Sequence, residues 1–138
     1  MITYTGIPIF WRSKIQIEIA LSTCKAKYIA LSMAMKEVIP LIQLLKDLKV
    51  NCDAVDTPPK VYCKVSKDNQ SCIIVAESKK LPARTKHIAI KYHYFRSLVN
   101  NKTIRIKYID TKKQLANILT KPIENNQFFK LRFILMGW

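Results

Sequence analysis

The sequence predicts a single α/β domain over residues 1–138. Segments of alternating apolar and polar residues, KIQIEIA at 14–20 and TIRIKYI at 103–109, are typical of strands with one buried face. Apolar residues at spacings of three and four along residues 23–48 are typical of an amphipathic helix. A chain of 138 residues buries roughly two-thirds of the surface that its unfolded form exposes, which is enough for a hydrophobic core. Up to residue 109 the predicted order is β-β-α-β-α-α-β, which indicates the α/β class.

The first predicted elements are a hairpin and a long helix. Ile7–Trp11 is rich in strand-forming residues and precedes the alternating KIQIEIA segment, whose isoleucines would face the core. Ser22 and Thr23 offer N-cap oxygens for the helix over 23–48. Pro40 removes a backbone donor inside this helix, at a cost of about 3 kcal/mol, so we expect a kink or two shorter helices. The predicted apolar stripe comprises Ala30, Ala34, Val38, Leu41, Leu45 and Leu48.

The middle of the chain predicts a linker, a strand and two helices. NCDAVDTPP at 51–59 is the linker, and KVYCKV at 60–65 is a short apolar strand. Asp68 or Asn69 is placed to cap the next helix. A further helix begins at Thr85, with an apolar stripe of Ile88, Tyr92, Phe95 and Val99.

The C-terminal part predicts one more strand and two helices. TIRIKYI forms a strand with a basic outer face. Thr111 and Gln114 have the spacing of a capping box, which predicts a helix that ends before Pro122. The apolar segment at 128–138 predicts a last helix.

The charge of the chain points to a polyanionic partner. It has 24 Lys or Arg residues against 9 Asp or Glu residues, for a formal net charge of +15. Such a balance favours nucleic acid or an acidic surface as a partner, although scattered positive charge is also common on solvated surfaces. The start lacks a basic segment followed by a cleavage site, and uninterrupted apolar stretches are short. We therefore expect an intracellular protein, cytoplasmic or nuclear, that is not secreted and does not bind a membrane.

The four cysteines are expected to be reduced thiols. No two of them have the CxxC spacing that is common in zinc sites, and the chain has only two histidines, His87 and His93, to complete such a site. No base lies beside them in sequence, so a nucleophilic role is a remote alternative. They are Cys24, Cys52, Cys63 and Cys72.

Four separated blocks of the sequence carry a resemblance to a known family. They are FWRSKIQIEIALSTCKAKYIALSMAMKEV, DNQSCIIVAES, RTKHIAIKYHYFR and IDTKKQLANILTKP, in this order. The chain resembles the ribonuclease H domain of copia-type retrotransposon Pol polyproteins. The family pattern runs WxSKKQxxxALSTTEAEYIAL, YCDNQSAI, RTKHIDIRYHFIR and TKEQLADILTKP.

The resemblance implies a ribonuclease H-like mixed sheet flanked by helices. It also implies hydrolysis of the RNA strand of RNA–DNA hybrids with two magnesium ions held by converging carboxylates. In the family these come from an Asp on the first strand, the second Glu of TEAEY, and the Asp residues of DNQS and ADILTK. The family's first, central strand has no counterpart here, so we expect an N-terminally truncated domain. Its unpaired strand edges would favour self-association.

Only one of the family's four carboxylates is expected at its position. Asp68 corresponds to the Asp of DNQS, whereas Lys27 and Asn117 stand at the positions of the metal-binding Glu and of the last Asp. Four extra residues, Lys64–Lys67, precede Asp68, so we expect it to be displaced from the strand end. An ammonium about 4 Å from a divalent cation repels it by roughly 8 kcal/mol at an effective dielectric constant of 20.

These departures predict a ribonuclease H-like pseudoenzyme that binds no metal cofactor, where the family uses magnesium. Two alternatives stay open: a basic, non-enzymatic nucleic-acid-binding module, and a fragment of a longer Pol polyprotein. The partner would be an RNA–DNA hybrid or another nucleic acid, bound without sequence specificity. The residues predicted to contact phosphates, with solvated charge as the alternative, are Lys79, Lys80, Arg84, Lys86, Arg105 and Lys107.

Several residues have a structural alternative to a functional role. Asp68 could bind a metal, but an N-cap explains it equally well, and we expect the cap. His87 and His93 could position substrate, but we expect both to be exposed. We expect the aromatic residues Trp11, Tyr28 and Phe95 and those near the C-terminus to lie in the core.

Overall fold

A computed structural model describes residues 1–50, 61–78, 88 and 90–137, with the backbone alone for residues 49 and 50. The chain is a mixed α/β protein, as predicted. It divides into two compact units, one of Met1–Ile17 with Ile109–Trp138 and one of Glu18–Tyr108. The predicted linker and four of the predicted phosphate-contacting residues lie outside the described residues.

The first unit begins with a hairpin that differs from the predicted one. Strands β1 (Ile2–Tyr4) and β2 (Ile7–Phe10) pair antiparallel across a two-residue turn. Both turn residues, Thr5 at φ 51° and Gly6 at φ 91°, have the left-handed backbone that this tight connection needs. The predicted second strand, KIQIEIA, is wrong, because no strand forms there in the described structure. Its isoleucines Ile15, Ile17 and Ile19 are 85–90% exposed.

The rest of the first unit consists of two 3₁₀ segments and helix α4 (Asn125–Met136). The 3₁₀ segments, Thr111–Lys113 and Leu115–Leu119, replace the predicted α-helix. The predicted capping box does not form, because the Asp110 carboxylate accepts a hydrogen bond from the Lys112 amide at 2.7 Å. Helix α4 begins earlier than predicted and buries Leu131. Three of the C-terminal aromatic residues predicted for the core, Phe128, Phe129 and Phe133, are exposed, and Trp138 lies outside the described residues.

The second unit is built around helix α1 (Thr23–Val50), which continues through Pro40 as one helix. Strand β3 (Cys63–Lys67) and strand β4 (Ile104–Tyr108) form a parallel pair. Helix α2 (Gln70–Glu77) follows β3, and the short helix α3 (Arg96–Asn100) precedes β4. The described strands therefore form one antiparallel and one parallel pair, not a single mixed sheet.

The core of the second unit is formed by α1 together with the segments that pack on it. Tyr28 and Phe95 are fully buried, as predicted, and their ring centroids lie 5.7 Å apart. The Tyr94 hydroxyl donates a hydrogen bond of 2.7 Å to the Ser32 carbonyl of α1. Trp11, which was also predicted for the core, lies in the first unit and is 63% exposed.

The buried face of α1 differs from the predicted stripe. Of the predicted residues only Val38 is buried, and Ala30, Ala34 and Leu48 are exposed. The predicted stripe is wrong because apolar residues surround this helix, so two faces have helical spacing and only packing decides between them. The buried residues are Tyr28, Ile29, Leu31, Ser32, Met35, Val38 and Ile42.

By length and composition, the part of α1 from Thr23 to Leu48 could also span a membrane. Helices in the cores of soluble proteins meet the same criterion, and α1 supplies much of the core of its unit. This property by itself therefore does not indicate a membrane segment.

The segment after α2 is less regular than predicted. The start of the helix expected from Thr85 lies outside the described residues, and from Ile90 onward the structure has a 3₁₀ turn at Ile90–Tyr92 followed by α3. The apolar stripe is nevertheless correct, since all four of its residues are buried: Ile88, Tyr92, Phe95 and Val99. Apolar spacing therefore identified the buried side chains although the backbone there is not one continuous helix.

Candidate functional site

Lys27 and Asp68 meet at the carboxyl end of β3. Lys27 lies in the first turns of α1, and Asp68 directly follows Lys67, the last residue of the strand. The Lys27 Nζ donates a hydrogen bond of 2.9 Å to the Asp68 Oδ2. The predicted displacement of Asp68 from the strand end is therefore wrong, because residues 64–67 are part of the strand itself. Two positions that are 41 residues apart in the chain form one ion pair.

The Lys27–Asp68 pair is partly shielded from solvent. The Asp68 side chain is 9% exposed and that of Lys27 is 36% exposed. Burial opposes ionisation of Asp68, but the hydrogen bond and charge of Lys27, with the charge of Lys67, outweigh it and lower the pKa of the carboxyl below its ordinary value. Asp68 is thus an anion at neutral pH whose charge is balanced within the protein.

The N-cap of α2 is Asn69, not Asp68. The Asn69 Oδ1 accepts a hydrogen bond of 2.8 Å from the Cys72 amide, in the geometry of an N-cap. The interpretation of Asp68 as the cap is therefore wrong. Because Asn69 accepts the hydrogen bond from this otherwise unpaired amide of the helix, the Asp68 carboxylate is available to pair with Lys27.

The residues at this site do not fit a magnesium ion. Magnesium requires several anionic or neutral oxygen ligands, and here one carboxylate is already bound to an ammonium group. Across the described ranges, no group of three or more His, Cys, Asp or Glu residues could hold a metal. The Lys27 ammonium stands beside the carboxylate in the place that a cation would take.

Asn117, the third position given by the resemblance, lies in the first unit. It is buried, and its Nδ2 donates a hydrogen bond of 2.8 Å to the Thr111 carbonyl. A carboxylate at this position could not make this bond, because it has no hydrogen to donate. The amide therefore has a structural role, linking the two 3₁₀ segments.

A partly buried Tyr28–His93 hydrogen bond is a feature that the sequence did not predict. The Tyr28 Oη and the His93 Nδ1 are 2.8 Å apart, and their rings are tilted at 49°. Burial raises the pKa of Tyr28 to about 12. Burial also lowers the pKa of His93, against the effect of a backbone hydrogen bond at Ile88. The predicted exposure of His93 is thus wrong, and His87 lies outside the described residues.

Two of the described cysteines, Cys63 and Cys72, have the properties of inert thiols. Cys24, Cys63 and Cys72 form no disulfide. Burial raises the pKa of Cys63 and raises that of Cys72 to about 11. A protonated, buried thiol is a poor nucleophile.

The predicted phosphate-contacting residues on β4 lie on an open surface. Arg105 and Lys107 are both exposed, and the Arg105 Cζ lies 5.7 Å from the centre of the Tyr62 ring. Lys64 on β3 is paired in register with Arg105 and is also exposed. Tyr62 and Lys64 were not predicted, although KVYCKV alternates in the same way as TIRIKYI. Outside the described residues lie Lys79, Lys80, Arg84 and Lys86.

Curated relatives match nearly the whole chain. The retrovirus-related Pol polyprotein from transposon TNT 1-94 of Nicotiana tabacum is 36% identical over 128 residues, which are 93% of this chain and 9% of that protein. The corresponding polyproteins from transposons RE1 and RE2 of Arabidopsis thaliana are 33% and 32% identical over 92% of this chain and 8% of each protein. No family model and no solved structure matches.

The similarity defines the class of protein: the homologues of this chain are retrovirus-related Pol polyproteins of transposons. The chain spans less than a tenth of the length of these relatives. It therefore corresponds to one segment of such a polyprotein, and the similarity to the polyproteins from TNT 1-94, RE1 and RE2 supports a fragment of a longer Pol protein.

Proposed function

We propose that this chain is a catalytically inactive, ribonuclease H-like segment of a copia-type retrotransposon Pol polyprotein. The observation that carries the proposal is the ion pair between Lys27 and Asp68. By the resemblance, both residues stand at positions where the family has metal-binding carboxylates. The proposed location is inside the cell, in the cytoplasm or nucleus.

Hydrolysis of a phosphodiester by this family requires two cations, one that activates water and one that stabilises the leaving oxygen. The pair offers one carboxylate, and its charge is already neutralised by the Lys27 ammonium 2.9 Å away. A magnesium ion would have to displace this ammonium and would then be repelled by it. Asn117 supplies no negative charge in place of the missing acids.

A cleavage assay tests this proposal. The full chain is incubated with a labelled RNA–DNA hybrid in magnesium and, separately, in manganese, with an active ribonuclease H as the positive control. We expect no cleavage above the level of the Asp68→Ala variant. Cleavage by the wild-type chain that Asp68→Ala abolishes would overturn the proposal.

A second candidate function is binding of nucleic acid without cleavage. The net charge of +15 and the exposed cations of β4 favour it. Such binding depends on release of counterions from phosphates, so the logarithm of the affinity should fall linearly with the logarithm of salt concentration. An affinity that does not change between about 50 and 200 mM salt would contradict it.

A further inference from the structure

One face of the β3–β4 pair is basic and carries an aromatic side chain. Successive residues of a strand point to opposite faces, so Ile104 and Ile106 are buried whereas Arg105 and Lys107 are exposed. On the neighbouring strand Lys64 is exposed as well, and Tyr62, just before the strand, is 65% exposed. We call the surface of Tyr62, Lys64, Arg105 and Lys107 the Tyr62 face.

The positive charge of the Tyr62 face is not balanced by the described part of the protein. Lys64 and Arg105 are register partners on adjacent strands, where like charges repel. Two ion pairs in the described part of this unit, Lys27–Asp68 and Lys91–Glu18, include no residue of the Tyr62 face. A polyanion on this face would relieve the repulsion.

The spacing of these cations suits a nucleic-acid backbone. Residues two apart on one strand face are about 6.7 Å apart, so Arg105 and Lys107 can each approach one of two successive phosphates. Lys64 lies across from Arg105, which makes the charged surface two strands wide. A single nucleic-acid strand can therefore be followed by cations over about two nucleotides.

Tyr62 distinguishes this surface from a merely basic one. Its ring is exposed, and the Arg105 guanidinium lies 5.7 Å from the ring centre, which helps to hold the side chain in place. An exposed aromatic ring beside cations is the arrangement on which proteins stack unpaired bases. Because bases in a duplex are already stacked on each other, the ring favours a single strand.

We infer that the Tyr62 face binds single-stranded nucleic acid, with a base stacked on Tyr62 and phosphates held by Lys64, Arg105 and Lys107. This inference rests on the second candidate function and specifies its surface and its partner. It is independent of the inactivity proposed for the Lys27–Asp68 site.

Fluorescence anisotropy with a labelled oligouridine of about twelve nucleotides tests the inference on the full chain. Tyr62→Ala should weaken binding about tenfold, and Tyr62→Phe, which keeps the ring, should bind like the wild type. The matched control is Tyr108→Ala, which removes a half-exposed ring from β4 on the opposite side of the strand. Circular dichroism of each variant verifies that it is folded.

A charge variant tests the phosphate contacts. Arg105→Gln with Lys107→Gln should weaken binding and reduce the salt slope by about 1.4, the value for two contacts to a single strand. Lys36→Gln with Lys130→Gln removes the same charge from two exposed helix positions and should reduce the slope by much less.

Several outcomes would overturn the inference. One is equal binding by the wild type, Tyr62→Ala and Arg105→Gln/Lys107→Gln, which would place the binding surface elsewhere while leaving nucleic-acid binding intact. Another is equal affinity for a duplex of the same length. Binding to vesicles of phosphatidylserine but not to the oligonucleotide would assign the face to a membrane. No binding of any nucleic acid by the wild type would overturn the second candidate function as well, but would not affect the cleavage result.

Discussion

The Lys27–Asp68 site and the Tyr62 face, both in the second unit, differ in how their charges are arranged. At the first, a cation and an anion form a hydrogen-bonded pair in which Asp68 is 9% exposed. At the second, Lys64 and Arg105 lie side by side in solvent as like charges. Removal of a charge should therefore destabilise the fold at the Lys27–Asp68 site and stabilise it at the Tyr62 face. The ion pair is thus a structural site, whereas the Tyr62 face is suited to binding a ligand.

The largest effect is expected from reversal of charge at the ion pair. Lys27→Glu would place two carboxylates together in a partly buried position and should lower the free energy of unfolding by about 3 kcal/mol. Urea unfolding followed by circular dichroism measures it. Lys36→Glu, at an exposed position of the same helix, is the control and should change stability by no more than about 0.5 kcal/mol. Equal effects of the two variants would show that the pair is not structural.

The other unit offers a related test at Asn117. Asn117→Asp should lower stability by about 2 kcal/mol, because the buried carboxylate cannot donate to the Thr111 carbonyl. The control is Asn126→Asp in the first turn of α4, an exposed position where a negative charge is neutral or slightly favourable. Thermal unfolding of both variants at pH 7 measures the difference, and an unchanged midpoint for Asn117→Asp would contradict the structural role of the amide.

The pH dependence of stability tests the charge of Asp68. Its pKa is lower in the folded chain than in the unfolded chain, so its contribution is present above the unfolded pKa and is lost as the pH falls through the folded pKa. At pH 7, Asp68→Asn should cost about 1 kcal/mol, and this cost should shrink on acidification. Urea unfolding between pH 7 and pH 2 measures it. The control is Glu77→Gln at an exposed position, which at pH 7 should change stability by no more than about 0.5 kcal/mol. A cost for Asp68→Asn that is constant with pH would sink this account.

The smallest expected effect is a gain in stability, at the Tyr62 face. Lys64→Gln removes one of two like charges that face each other across β3 and β4, and should raise stability by about 0.5 kcal/mol. The increase should disappear at high salt, because exposed charges are screened. Urea unfolding at about 20 mM and 1 M salt measures it. A loss of stability at low salt would mean that Lys64 has a structural role.

Alternation of apolar and polar residues predicted a strand correctly where another strand pairs with the segment, and wrongly where none of the described strands does. TIRIKYI became β4 with Ile104 and Ile106 buried, since β3 pairs with it and α2 and α3 pack on it. KIQIEIA has the same alternation, but no described strand pairs with it, and its isoleucines are exposed. Alternation shows that a segment can be a strand, whereas pairing depends on distant residues. Self-association through an unpaired edge stays a prediction.

The candidate site was predicted in part. The resemblance selected Lys27 and Asp68 and implied that their positions converge. The direct ion pair between these residues, 41 apart in the chain, is shown only by the structure, in which α1 packs against α2. Local pattern also left the choice between Asp68 and Asn69 as the cap open, and the backbone geometry at Asn69 decided it. The Tyr62 face was missed because it requires the register of two strands that are far apart in sequence.

The Lys27–Asp68 pair has a consequence for the conditions in which this chain can fold. The cation that balances Asp68 is attached to the polypeptide, so its local concentration is fixed and does not vary with the ions dissolved around the protein. Chelators and changes in cellular magnesium therefore leave this part of the fold as it is. The chain carries its own counterion.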